Sequence, residues 1–235
     1  MFVMHNPVRF IDPTGLFAED PTQYVMLRYI IEKNGGSVFF LGGDAMINMP
    51  GFDFVWTTGN IVNGRMLVAR HFLMETFMLS ESQASHLPGD VFSTMNDAAM
   101  AFYLMHFSTS RDHWNERGAF IYRVWLGRIG RGSESVPTGF TFGTVFEGTH
   151  DHVIGGMVRN MFSNIGSLNS DISVASRVAM IHSHPDCSCH SPNVNNNFSS
   201  PDLRFGDISG FTMYLATPGR GLLRRDPRGE TIEIR

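Results

Sequence analysis

The sequence predicts an α/β protein built on a mixed β-sheet flanked by helices, and three observations carry that expectation. From about residue 93 onward, apolar runs of strand length alternate with stretches of helical spacing, the pattern that layers helices against a sheet. The chain closes with three short strand-like runs, Thr212 to Ala216, Gly221 to Arg225 and Thr231 to Ile234, separated by Gly- and Pro-bearing turns. Finally, 235 residues at 43% hydrophobic composition suffice for a sizeable core in one or two domains.

Taken from the N-terminus, Pro21 to Lys33 has helical spacing, with proline at its start and Gly35-Gly36 after its end. Ser37 to Leu41 reads as a short strand. Gly42 to Asn60 is rich in Gly, Met and aromatic residues without a clear period, so no element is assigned there. Met66 to Leu79 fits an amphipathic helix, and Ser80 to Asp90 is the expected linker. Asn96 to Phe107 is expected as a helix with one apolar face, Gly118 to Leu126 and Gly139 to Glu147 as strands, and His150 to Phe162 as a helix. Val174 to Ile181 is an apolar strand that runs directly into two histidines, and Ser200 to Ile208 a short helix.

Composition narrows the function classes. A net charge of -4 and a pI near 6.2 argue against broad electrostatic binding of nucleic acid, which requires many phosphates to be neutralised. Arg220, Arg224, Arg225 and Arg228 approach a basic patch, yet a solvated hairpin accounts for them more simply. Lys33 is the only lysine, so a lysine-poor surface offers few sites for ubiquitin. No run approaches the ~18 apolar residues of a membrane span, and the N-terminus lacks the charged and apolar regions of a secretion signal. Cys187 and Cys189 are the only cysteines, and their i, i+2 spacing disfavours an unstrained disulfide. They are expected to be loop thiols, with a second metal site as the sharper alternative.

Residues 182 to 202 carry the chemistry. His182 and His184 stand two apart at the end of an apolar strand, so both imidazoles project from one face and converge on one point. A catalytic zinc takes three protein ligands and leaves a fourth position open, and Asp202 is the candidate third. The simpler alternative makes the histidines ordinary strand-end residues and Asp202 a helix cap, since Ser199-x-x-Asp202 is also a helix N-terminus signature. Seen together, His182-Ser183-His184-Pro185, Ser199-x-x-Asp202 and Glu116 ahead of the strand Gly118 to Tyr122 resemble the JAMM (MPN+) zinc metallopeptidase family. The resemblance implies zinc held by His182, His184 and Asp202, with Glu116 as general acid/base and Ser199 helping to hold the tetrahedral intermediate. It also implies a JAMM/deaminase-like three-layer architecture. Fourteen positions separate His184 from Ser199, somewhat more than in typical members, which leaves Ser200 as an alternative for the serine role.

A second resemblance lies at the other end. Asn6-Pro7-Val8-Arg9-Phe10-Ile11-Asp12-Pro13-Thr14-Gly15-Leu16 is similar to the last segment of the Rhs-repeat core of bacterial polymorphic toxins, which ends in Asp-Pro-x-Gly-Leu. In that family the core cleaves itself after the leucine, here at Leu16-Phe17. The organisation this implies is a remnant of the Rhs cage over 1–16, an accessory segment over 17–92 and a JAMM-like catalytic domain over 93–235. The function it implies is a zinc-dependent peptidase or isopeptidase toxin. Such a secreted effector would act in the cytoplasm of a target cell on a protein substrate, ubiquitin-like conjugates among the options, and would be countered by a cognate immunity protein.

Other constellations weigh less. His150-Asp151-His152 at a helix start would splay its imidazoles about 200° apart. Gly127-Arg128-Ile129-Gly130-Arg131-Gly132 lacks the strand-loop-helix setting of a nucleotide-binding turn. A nucleobase deaminase would need His-x-Glu or Cys-x-Glu and a later Pro-Cys-x-x-Cys, whereas the chain has Pro185-Asp186-Cys187-Ser188-Cys189. Two alternatives stay open: a metal-dependent nuclease toxin using His184, Asn193, Asn195 and Asp202, and a catalytically inactive JAMM-like binding module.

Overall fold

The computed structural model describes residues 23–62, 64–113, 115–126, 139–149, 172–185 and 195–234. The protein is of mixed α/β class, and the chain divides into two compact units between His86 and Leu87. That division falls inside the stretch Ser80 to Asp90 expected as a linker. The segment before it is well anchored within the first unit: Ala84 is fully buried, and His86 Nε2 accepts the Met26 backbone N–H at 3.1 Å. Residues 1–16, with the Asp-Pro-Thr-Gly-Leu motif, lie outside the described residues, as do the expected helix from His150 to Phe162, the 127–132 segment and both cysteines.

In the first unit two sequence expectations are corrected. The stretch Pro21 to Lys33 holds a strand before its helix: β1 (Tyr24–Met26) precedes α1 (Leu27–Lys33). Likewise Met66 to Leu79 is half strand, β6 (Arg65–Ala69) leading into α2 (Arg70–Phe77). The reason is shared, because β1 and β6 pair antiparallel, Val25 against Val68 and Met26 against Leu67. With β5 (Asn60–Val62) on its other side, β6 is a central strand whose Met66, Leu67 and Val68 are all buried. A consecutive apolar run of this kind does not distinguish helix from buried strand by period. The unassigned Gly42 to Asn60 holds β3 (Asp44–Asn48) and β4 (Val55–Thr58), which form a second antiparallel sheet with β2 (Ser37–Leu41). Gly36 permits the close approach of α1 to β3, since a Cβ there would stand 2.7 Å from the Asn48 carbonyl oxygen.

The second unit carries a seven-stranded mixed sheet. Its elements are α3 (Met95–His113), β7 (Arg117–Leu126), β8 (Gly139–Phe142), β9 (Phe146–Glu147), β10 (Ile172–Ser183), α4 (Ser200–Ser209), β11 (Thr212–Thr217), β12 (Gly221–Arg225) and β13 (Thr231–Ile234). The strand order is β13-β12-β11-β10-β7-β8, with β9 pairing the start of β7. Only the β10–β11 pair is parallel, and its crossover contains α4, as parallel neighbours require. The expected strand Gly139 to Glu147 is two strands: β8 ends at Phe142, where Gly143 N–H still donates to the Phe120 carbonyl of β7 at 3.0 Å, and β9 begins at Phe146.

Strand alternation assigns the helices to opposite faces. Tyr214 of β11 donates its hydroxyl to Asn96 of α3. Its neighbour Met213 faces the other way, against Gly206 of α4, where a Cβ would stand 2.7 Å from Met213 Cγ. On the α4 side, Phe120, Tyr122, Met180, Met213 and Leu215 form a buried cluster with Leu203 and Phe205 packed on it. Each such side chain contributes on the order of 1.5–3 kcal/mol of burial free energy. The rigid floor so made carries the residues 116, 182, 184 and 202.

Candidate metal centre

The site is assembled from three pieces of chain. The C-terminal end of β10 delivers His182, and the extended residue just beyond it, His184, follows two positions on and bears the second imidazole. In the antiparallel register His182 lies opposite Gly118, so one further pair of steps sets Glu116 across from His184. The N-terminus of α4 brings Asp202 from the sequence-distant side. The three candidate ligands His182, His184 and Asp202 each offer an atom within 4.8 Å of the others, and all three are buried.

Distances test whether these groups fit a metal. His182 Nε2 stands 3.4 Å from Asp202 Oδ2, and His184 Nε2 stands 3.7 Å from the same oxygen. Both are long for charge-assisted hydrogen bonds, which close to about 2.7–2.9 Å. The first falls within, and the second just above, the ~3.3–3.6 Å edges of a tetrahedron whose ligands lie ~2.0–2.2 Å from a central ion. His182 is fully buried, yet neither ring nitrogen has a hydrogen-bond partner among the described residues, and the same is true of His184 Nδ1. Buried imidazole nitrogens without partners are expensive. A cation at the focus would satisfy Nε2 of His182, so the donor set fits a metal ion.

Electrostatics point the same way. Burial disfavours a charged His182, but the carboxylates of Asp202 and Glu116 outweigh it and raise its pKa above the ordinary value. For Asp202 burial opposes ionisation, yet His182, His184 and the Ser199 hydroxyl hold its carboxyl far below the usual range. Both shifts favour a positive charge at the focus of these groups.

Ser199 and Asp202 form a reciprocal capping box at the start of α4. The Asp202 N–H donates to Ser199 Oγ at 3.3 Å, and the Ser199 N–H donates to Asp202 Oδ2 at 2.8 Å. In addition Ser199 Oγ donates to Asp202 Oδ2 at 2.7 Å. The helix cap and the candidate ligand are thus one residue. Sequence reasoning set these readings against each other, and the fold combines them. In this arrangement the Ser199 hydroxyl orients Asp202, while Ser200 is exposed on the first turn of α4.

Glu116 lies at the rim of the cluster. Its Oε1 is 3.8 Å from His184 Nε2, and its side chain is buried like theirs. Its backbone is clamped on the far side, where Glu116 N–H donates to the Thr149 carbonyl at 2.9 Å and Gly148 N–H donates to the Glu116 carbonyl at 2.8 Å. Asn195, weighed in the sequence as a ligand of another kind of metal site, is buried, while Asn193 lies outside the described residues. Comparison with protein-family models, with curated proteins and with solved structures finds no match to this chain. Among the described residues no helix is long and apolar enough to cross a membrane.

Proposed function

We propose that the second unit is the catalytic domain of a zinc-dependent peptidase or isopeptidase, with His182, His184 and Asp202 as metal ligands. The observation that carries this reading is the buried convergence of two imidazoles and a carboxylate at ligand-to-ligand spacing, with a second carboxylate, Glu116, beside them but outside the set. Two nitrogens and one oxygen suit zinc among the common divalent ions. Zinc bound there would supply Lewis acidity, polarising the scissile carbonyl and acidifying a water. Glu116 accepts the proton of that water and returns it to the leaving amine, work for a carboxylate at the rim of a buried site. Ser199 holds Asp202 in place through its hydroxyl.

The JAMM-like pattern and the Rhs-like segment at 6–16 support placing this activity in a toxin. In that reading 1–16 is the remnant of a cage and Leu16-Phe17 the release bond. The released effector acts in the cytoplasm of a target cell on a protein substrate, and a cognate immunity protein restrains it. The test is Glu116→Gln, with metal content and hydrolysis measured together on a panel of ubiquitin-like conjugates and on DNA. Wild type should carry about one zinc per chain, as expected of a three-ligand site. The variant should keep it while amide hydrolysis falls by about 10²–10⁴. Loss of zinc in Glu116→Gln would make Glu116 a ligand, and cleavage of DNA alone would replace the peptidase reading by the nuclease one.

A further inference from the structure

Ser183, between the two histidines, points to the opposite face of β10 by strand alternation and is fully buried, so it touches neither the metal focus nor anything bound there. Its hydroxyl is nevertheless engaged across the sheet. Ser183 Oγ accepts the Arg117 backbone N–H at 3.1 Å and lies 3.4 Å from the Arg117 carbonyl, to which it donates. The β7–β10 ladder ends at the pair Gly118–His182. Beyond it His184 N–H continues the β10–β11 pairing to the Ala216 carbonyl at 2.9 Å, and Glu116 continues the β7–β9 pairing through Thr149 and Gly148. The Arg117 N–H is thus held by a side chain one pair beyond the last rung, at the level where Glu116 and His184 face each other.

Resting on the zinc-hydrolase reading above, we infer that Ser183 is a positioning residue: its side chain substitutes for the missing rung of the ladder and fixes Glu116 against the metal-bearing strand. A backbone N–H turned toward the neighbouring strand needs an acceptor, and that of Arg117 finds the Ser183 hydroxyl rather than a main-chain carbonyl of β10. Ser183 supplies it. Arg117 is the residue next to Glu116, so a pivot there translates directly into the 3.8 Å spacing of Glu116 from His184. Orienting groups of this kind, behind the residues that act, are commonly worth 10–100-fold in the property they support.

The experiment compares Ser183→Ala, which removes the hydroxyl, with Ser183→Thr, which keeps it, and uses Glu116→Gln as the reference. In the metal-free protein, amide exchange at Arg117 should quicken about tenfold in Ser183→Ala and stay at the wild-type rate in Ser183→Thr. Zinc content should be unchanged in both, because the ligands are intact. With cobalt as the probe, the pH midpoint of the visible spectrum should move in Ser183→Ala in the direction set by Glu116→Gln, and Ser183→Ala should add nothing in the Glu116→Gln background. An unmoved midpoint in Ser183→Ala beside a moved one in Glu116→Gln overturns the inference and leaves the zinc reading standing. Loss of zinc in Ser183→Ala also overturns it, since the serine would then support the ligand strand itself. A wild-type protein that takes up neither zinc nor cobalt overturns both together.

Discussion

Replacing Ser199 by alanine separates two roles for one hydroxyl. Ser199→Ala removes the acceptor of the Asp202 N–H and the 2.7 Å donor to Asp202 Oδ2, while the Ser199 N–H to Oδ2 bond survives because it is main chain. Loss of a serine N-cap costs about 1 kcal/mol. Loss of a hydrogen bond to a charged group is worth about 1.5–3 kcal/mol. The two effects share one hydroxyl and are not additive, so about 2 kcal/mol is expected for a buried pair. In a unit of about 150 residues that lowers Tm by ~4–8 °C in the metal-free protein. Because Asp202 is freed from one restraint, zinc affinity should fall by about 10–100-fold, read by competition with a chromophoric chelator. A hydroxyl acting on the oxyanion instead would leave Tm and zinc affinity near wild type and cut turnover by about 10²–10³. That second pattern would refute the positioning role of Ser199, and no change in any of the three measurements would refute both.

Three further outcomes are expected. His182→Ala and His184→Ala should each abolish stoichiometric zinc, measured by metal analysis of the purified chain, since two remaining ligands do not hold a three-ligand site. Metal affinity should rise with pH: His182 has a folded pKa raised above its ordinary value, so its proton stabilises the metal-free fold fully below about pH 6.5 and that contribution is lost as pH climbs through the folded pKa. Zinc binding displaces the same proton, and calorimetry in buffers of different ionisation enthalpy should show proton release that vanishes in His182→Ala. In the first unit, burial and then Lys33 lower His86 to about 3, and the neutral ring accepts from Met26. A base depressed in this way loses its stabilising contribution as pH falls from about 6.5 towards the folded value, by up to about 1.4 kcal/mol per pH unit. The acid slope of urea unfolding should flatten in His86→Gln.

What the sequence revealed follows from how local each signal was. The strands of the second unit were legible because Ala119 to Val124, Ala179 to Ile181 and Thr212 to Ala216 are apolar or β-branched runs of strand length with turn residues between them. There, pattern and tertiary burial agree. In the first unit they conflict. Val25-Met26 and Met66-Leu67-Val68 have no polar alternation, and only pairing across more than 40 residues, Val25 with Val68, decides that they are strand. Gly42 to Asn60 carries no readable period because its last strand leaves Trp56, and Phe54 just before it, largely exposed, so apolar residues there do not mark the buried face.

The site was legible for a related reason and incomplete for another. His182 and His184 are i, i+2 on one strand, so their convergence is a local consequence of a two-residue period, and the Ser199 to Asp202 spacing is a local consequence of a helix start. Glu116 could be placed by motif alone, whereas its actual position depends on the antiparallel register of β7 on β10 and on the Thr149 and Gly148 contacts behind it. No spacing in the chain records a register. For Asp202, helix cap and ligand are rival readings in the sequence because each alone accounts for Ser-x-x-Asp. At an N-terminus they reinforce each other: the cap fixes the carboxylate by two hydrogen bonds from Ser199 to Oδ2, and the first turn of α4 presents its positive dipole end to the same group. A ligand held this way is already ionised and oriented in the folded chain, so the ordering that metal binding would otherwise impose is done by the helix.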